Sequence, residues 1–175
     1  MSKTTVLSGS HIPVLLEVLK RVHRPVLELG VGYNSTPLLH WYCKTNGIKL
    51  LSLETDEKWL NKFKDFETKS HRLELIEDWD SADIDQIQWG MVLIDHRPAM
   101  RRRVEAKRLK DNAEYILMHD SEPEINRFYG YTKIYPLFKY RFDFTKVKPN
   151  TTILSNYREL SWLKNLGNHN QIAMW

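Results

Sequence analysis

The sequence predicts a three-layer α/β fold: a doubly wound sheet of five parallel strands, followed by a C-terminal antiparallel hairpin. Three observations predict it. The apolar pattern switches between helical and strand spacing about every ten to fifteen residues, as βαβ units do. Four of the strand candidates end in acidic or glycine-rich tips, "ELGVG", "ETD", "IDH" and "HDSE". In the last third, "YRFDFTKV" and "NTTILSN" flank "KPN" and read as two antiparallel strands joined by a turn.

The elements follow in order. After Ser10, the residues Ile12, Leu15, Leu16, Leu19 and Val22 recur at helical spacing, and Pro13 falls in the first turn, where its missing N–H costs nothing. The first strand is "PVLELG", residues 25–30. Thr36-Pro37 reads as an N-cap with proline at the first helical position, and Gly47 closes that helix. The second strand, "KLLSLET", ends near Glu54, and the helix after it carries Trp59, Phe63 and Phe66 on one face. "RLELIED", residues 72–78, is the third strand, and "GMVLIDH" is an apolar run suited to a central strand covered on both faces. A basic helix over 99–111 leads to the fifth strand, "YILMHDS"; Ser121 and Glu124 have capping-box spacing and predict a further helix bearing Ile125, Phe128 and Tyr129.

At 175 residues and 42% hydrophobic content, the chain reads as one domain over 1–175, with an N-terminal helical part (1–24) covering the site and a C-terminal tail (158–175). Cys43 is the only cysteine, which excludes an intramolecular disulfide and Cys-rich zinc spacing and fits a reducing, cytoplasmic setting. Neither a basic leader with an apolar run nor a stretch of about 18 apolar residues occurs, so no membrane is expected as partner. The formal charge of +4 is spread over interleaved Lys, Arg, Asp and Glu, except for "RRRVEAKRLK", residues 101–110, with six basic residues. That balance permits an anionic partner without demanding one. Nucleic acid lacks support, because no aromatic platform or second basic segment accompanies the run. A small-molecule substrate is the favoured partner, and self-association is left open.

In an open α/β sheet, ligands bind at the carboxyl ends of the strands near the reversal of strand order. Glycines after the first strand let the backbone approach a ligand and let the next helix present its N–H groups. Glu54 lies 24 residues after Gly30, near the offset of about 20 at which a strand-two carboxylate bonds a ribose. A dinucleotide fingerprint would want glycine at position 35, which is Ser35, and has no requirement for a carboxylate two residues before its first glycine. Glu28 would sit badly beside a pyrophosphate and well beside an ammonium group. It points to a cofactor with a positively charged amino-acid end.

These residues resemble class I, Rossmann-like S-adenosylmethionine-dependent methyltransferases, whose first motif is an acidic residue, any residue, Gly, any residue, Gly. The likeness spans about residues 10–157, the terminal antiparallel pair included. It implies S-adenosyl-L-methionine as cofactor, with Gly30 and Gly32 against it, Glu28 toward the methionine amine, Glu54 and Thr55 at the ribose, and Asp78 and Trp79 at the adenine. The family commonly has glycine at position 34. Asn34 departs from this, although asparagine tolerates a left-handed backbone better than other non-glycine residues, which would keep Asn34 and Ser35 in the cofactor loop.

The tips of strands four and five supply the candidates for chemistry. Asp95 ends an apolar strand, where an aspartate costs stability unless it is paired or faces a crevice. Asp95, His96, His119 and Asp120 are candidates to take the acceptor's proton or to anchor it, the structural alternative for each histidine being a hydrogen-bonded strand end. A likeness to small catechol-type O-methyltransferases implies a divalent cation such as Mg²⁺ on Asp95 and Asp120. Those enzymes have Asp-Asn after strand five where this chain has Asp120-Ser121, so the cation is not favoured. Arg101, Arg102 and Arg103 lie in the first turn of a helix, where the macrodipole disfavours positive charge. Asp95 or an anionic substrate would compensate, with Arg97 and Arg103 as substrate contacts. The implied activity is methyl transfer to an O or N acceptor, a small polar or anionic molecule. The alternatives are an enzyme that consumes S-adenosylmethionine in another reaction, and a non-catalytic module that binds cofactor or a partner.

Overall fold

A computed structural model describes residues 9–166; residues 1–8 of the expected N-terminal part and 167–175 of the expected C-terminal tail lie outside the described residues. Seven strands form one sheet in the order β3-β2-β1-β4-β5-β7-β6. They are β1 (Val26–Leu29), β2 (Leu50–Glu54), β3 (His71–Leu75), β4 (Trp89–Ile94), β5 (Ala113–His119), β6 (Tyr140–Phe144) and β7 (Thr151–Ser155). The first five are mutually parallel. β7 enters between β5 and β6, antiparallel to both. Strand order reverses between β1 and β4, so the crevice of a doubly wound sheet opens at their carboxyl ends.

Helices α1 (Ile12–Leu19), α2 (Ser35–Thr45), α3 (Glu57–Leu60), α4 (Arg102–Arg108) and α5 (Asn126–Tyr129) flank the sheet. One core cluster joins α1 and α2 to one face of the sheet, and a second, around Trp79, Trp89 and Ala106, fills the other. β4 is buried along its whole length, as an apolar run between two covered faces requires.

Local chemistry departs from the sequence reading in several places. The apolar stripe of α1 is Val14, Leu15, Val18 and Leu19, rather than one through Ile12 and Leu16. Asn34, not Thr36, precedes α2 as its cap residue, because the Thr36 hydroxyl is committed to Glu28; Pro37 still falls in the first turn, where N–H groups lack intrahelical partners. The helix after β2 is only α3, running into a 3-10 turn at Asn61–Phe66. The basic helix shortens to α4 between 3-10 turns at Ala99–Arg101 and Leu109–Asp111.

The crossover from β3 to β4, residues 76–88, contains no helix. Its polar sequence has no helical stripe, and Trp79, Ala82 and Ile84 plug the core instead. Arg108 clasps this segment, donating to the carbonyls of Trp79 (2.7 Å) and Ala82 (2.9 Å) and to Asp85 (2.6 Å). Ser121 caps nothing: Glu122 precedes the 3-10 turn Pro123–Ile125, and the Ser121 hydroxyl is buried without a partner.

Candidate active site

The loop from β1 to α2 is built around a buried carboxylate. Glu28 is 0% exposed and pairs in register with Ser52 of β2. Its carboxylate accepts from the hydroxyls of Ser52 (2.6 Å) and Thr36 (3.0 Å to each oxygen). Burial pushes its carboxyl up to about 7, against the opposing hydrogen bonds of Ser35, Ser52 and Thr36. Glu28 is therefore not part of the cavity wall, and the expectation that it meets an ammonium group directly is revised: it fixes the loop from beneath. Thr36 carries the coupling, since its hydroxyl also accepts from the Gly32 N–H at 2.9 Å.

Gly30 has φ +91°, and a Cβ there would lie 2.6 Å from the His96 Cα. The glycine is needed where the tips of β1 and β4 touch. Asn34 has φ −96° in the right-handed region, so no left-handed residue is required at that position. Ser35 is buried and turned to Glu28.

Above the strand tips lies a cavity of about 570 Å³. β1 contributes Gly30 to Gly32, the end of β2 Glu54 to Asp56, β4 Asp95 to Arg97, and β5 His119 and Asp120, with Trp59 and Arg102 completing the wall. Glu54 is 8% exposed, and its Oε1 accepts from the N–H groups of Thr55 (2.8 Å) and Asp56 (3.1 Å). Two main-chain amides thus fix one oxygen of a carboxylate at the cavity wall.

Asp78 and Trp79 are not brought to this cavity. Asp78 is exposed and accepts from the Ser81 N–H in a local turn. Trp79 is 4% exposed, donates through Nε1 to the Arg97 carbonyl (2.7 Å) and stacks on His96 with centroids 4.0 Å apart. Both are corrected to structural residues. The His96 side chain is also withdrawn as a proton acceptor for substrate: it is fully buried and its Nε2 hydrogen-bonds Glu105 at 3.1 Å.

At the other end of the cavity, Asp95, His119 and Asp120 offer ligand atoms within 4.8 Å of one another. His119 Nδ1 lies 3.3 Å from Asp95 Oδ1 and 3.4 Å from Asp120 Oδ1. Burial works to lower its pKa, but the two carboxylates prevail and hold it above the ordinary histidine value. Burial likewise opposes the charge of Asp95, yet His119 and Arg102 keep its carboxyl below the usual range. His119 Nε2 meets the Ser10 hydroxyl at 3.0 Å, which itself donates to the Pro149 carbonyl at 2.6 Å. His11 packs edge-on against His119 at 4.8 Å with both ring nitrogens buried and unpartnered; burial, then the charge of His119, lowers it to about 4.

Of the three arginines that the sequence reading left in need of compensation, Arg102 is the one that Asp95 pairs with. It is 4% exposed and lies at the foot of the cavity between Asp95 (2.9 Å) and Asp120 (2.9 Å). Arg103, chosen from the sequence as a substrate contact, instead reaches the Tyr129 carbonyl at 3.5 Å and packs against Gly130, and is corrected to a support for α5. Arg101 pairs with Asp80 and Glu105. Arg97 lines the cavity and is exposed. Burial of an arginine beside two strand-end aspartates was a usable signal, but choosing among three adjacent arginines needs the helical phase of α4. Ser10 and His11 belong to the N-terminal part that the sequence reading expects over the site, and both meet His119.

No protein-family model matches the sequence, and no curated protein matches it. The search of solved structures does find matches, among them methyltransferases. A putative O-methyltransferase from Klebsiella pneumoniae is similar over 89% of this chain and 84% of its own, with TM-score 0.64 and 12% identity. M. capricolum TrmK, in complex with its natural cofactor product S-adenosyl-homocysteine, covers 93% of this chain and 75% of its own (TM-score 0.51, 14% identity). The hMettl16 catalytic domain in complex with the MAT2A 3'UTR hairpin 1 covers 84% and 68% (TM-score 0.56, 10% identity). The chain has the Rossmann-like fold found in S-adenosylmethionine-dependent methyltransferases. Its sheet is mixed, with the C-terminal antiparallel insertion of β7 between β5 and β6.

Proposed function

We propose that the protein transfers a methyl group from S-adenosylmethionine to an oxygen or nitrogen of a small polar acceptor. One observation carries the reading: a single cavity at the topological switch has the glycine loop and the Glu54 carboxylate at one end and the Asp95, His119 and Asp120 cluster at the other. Gly30 to Gly32 and the first turn of α2 would take the amino-acid end, and Glu54 with Thr55 the ribose hydroxyls. Bound there, the sulfonium supplies an electrophilic methyl group for direct displacement, so alignment of the acceptor is the protein's main task. Both described contacts of the Asp95 carboxylate fall on Oδ1, and its Oδ2 suits an acceptor's N–H or O–H. Asp95, kept ionised by His119 and Arg102, would take at that oxygen the proton that the acceptor loses on methylation.

The neighbours include an RNA-bound domain and an O-methyltransferase. A small acceptor is favoured here because at least half of the basic run is already paired: Arg101, Arg102 and Arg108 each meet carboxylates of this chain. Arg97, exposed in the cavity wall, supplies positive charge for an anionic acceptor group.

Calorimetry with S-adenosylmethionine, S-adenosyl-homocysteine and NAD tests the first step. Binding of the two sulfur compounds and not NAD is expected; binding of neither sulfur compound would sink the proposal. Label-bearing cofactor incubated with fractionated metabolites, nucleic acids and proteins then identifies the acceptor, and incorporation confined to the RNA fraction would overturn the small-molecule reading.

A further inference from the structure

The strand tips offer what a divalent cation wants, two carboxylates and an imidazole with ligand atoms within 4.8 Å of one another. Arg102 decides whether they fit one. A guanidinium has five N–H donors, and four hydrogen bonds and an ion pair hold this one. Nε donates to the His96 carbonyl (2.7 Å); Nη1 donates to Asp120 Oδ2 (2.9 Å) and to the His119 carbonyl (3.3 Å); Nη2 donates to the Asp95 carbonyl (3.0 Å) and lies 2.9 Å from Asp95 Oδ1. Asp120 Oδ2 also accepts from the Tyr129 hydroxyl at 3.1 Å. One oxygen of each carboxylate is therefore occupied by a buried, permanent positive charge. Mg²⁺ demands near-octahedral oxygen coordination at about 2.0–2.1 Å, and here it would have to share both carboxylates with that charge. The residues do not fit a divalent cation.

We infer that Arg102 is the resident cation of this site, standing between Asp95 and Asp120 where a metal ion would otherwise bridge them and orienting both carboxylates without metal. Its recorded hydrogen bonds and ion pairs all run to the tips of β4 and β5, so it is a positioning residue. The inference rests on the geometry of this cluster and stands whether or not the acceptor chemistry is methyl transfer.

Titration with Mn²⁺, followed by water-proton relaxation, tests it on the wild-type chain, Arg102→Ala and Asp120→Asn. The wild type is expected to show no Mn²⁺ site that Asp120→Asn removes. Arg102→Ala, which leaves the carboxylates unpaired, is expected to bind Mn²⁺ at least about tenfold more tightly than the wild type, and Mn²⁺ should raise its melting temperature while leaving that of the wild type unchanged. A wild-type Mn²⁺ site lost in Asp120→Asn overturns the inference, as does a folded Arg102→Ala with no gain in Mn²⁺ binding. Arg102→Gln, neutral and still able to donate, carries the same expectation where the alanine variant does not fold.

Discussion

Glu28 and Glu54 are carboxylates on neighbouring parallel strands, and burial assigns them different tasks. Glu28 is enclosed by the hydroxyls of Thr36 and Ser52; Glu54 stands at the cavity wall with one oxygen fixed by two amides. A charged acceptor bonding a ribose hydroxyl contributes about 1.5–3 kcal/mol. Glu54→Ala is therefore expected to weaken S-adenosylmethionine binding by about tenfold or more, with the circular dichroism spectrum unchanged. Glu54→Gln, which keeps an oxygen for the Thr55 and Asp56 amides, should fall between the two; equal affinity in all three would remove Glu54 from the ribose site. The order of acid and glycines in "ELGVG" located the loop, but not the direction in which Glu28 turns. That direction depends on Ser52, a partner 24 residues away made adjacent only by strand register. The same limit left Arg102 undistinguished from Arg101 and Arg103, because its two carboxylate partners come from the tips of two different strands.

At the scale of elements, strand positions were legible because a buried parallel strand is an apolar run with a polar tip, as in β4 and β5. Caps were less so, because the spacing of Ser121 and Glu124 describes a helix start that packing does not use. Asp56 and Ser121 make the contrast measurable. Asp56 Oδ1 accepts from the Trp59 N–H at 3.0 Å at the start of α3, whereas the Ser121 hydroxyl is buried with no partner. Asp56→Ala is expected to cost about 1 kcal/mol in urea unfolding, the usual loss for a cap, and Ser121→Ala nothing or a small gain, since it removes an unsatisfied buried group. A loss at Ser121 equal to that at Asp56 would restore the capping-box reading. The missing helix between β3 and β4 has the opposite lesson: the segment 76–88 has no periodic stripe, and its order comes from Trp79 in the core and from Arg108, neither of which is local information.

Across the whole molecule, buried titratable groups set how stability follows pH. Burial raises Glu28 from 4.5 to about 7, so the folded state keeps a proton that the unfolded chain releases; that stability is full below pH 4.5 and lost as pH rises through 7. Burial lowers His71 from 6.5 to about 4, and burial with the charge of His119 does the same to His11. For these two, the unfolded chain binds protons first, and stability is lost as pH falls from 6.5 toward 4. His40, beside His71, is lowered as well, so the histidines outweigh Glu28 and stability rises with pH between 4.5 and 6.5. Above 6.5, Glu28 ionises inside the core and stability declines. His119 adds to that decline, because its contribution is present below 6.5 and is lost as pH passes its raised value. Maximum stability is therefore expected close to pH 6.5. Glu28→Gln isolates the largest element on the alkaline side, since its amide can still accept from Thr36 or Ser52 but cannot ionise. Relative to the wild type, its unfolding free energy in urea should shift in the variant's favour between about pH 4.5 and 8, by up to roughly 3 kcal/mol. A difference that stays constant over that range would mean that Glu28 titrates as an ordinary carboxylate, and that the hydroxyls of Thr36 and Ser52 fully compensate its burial.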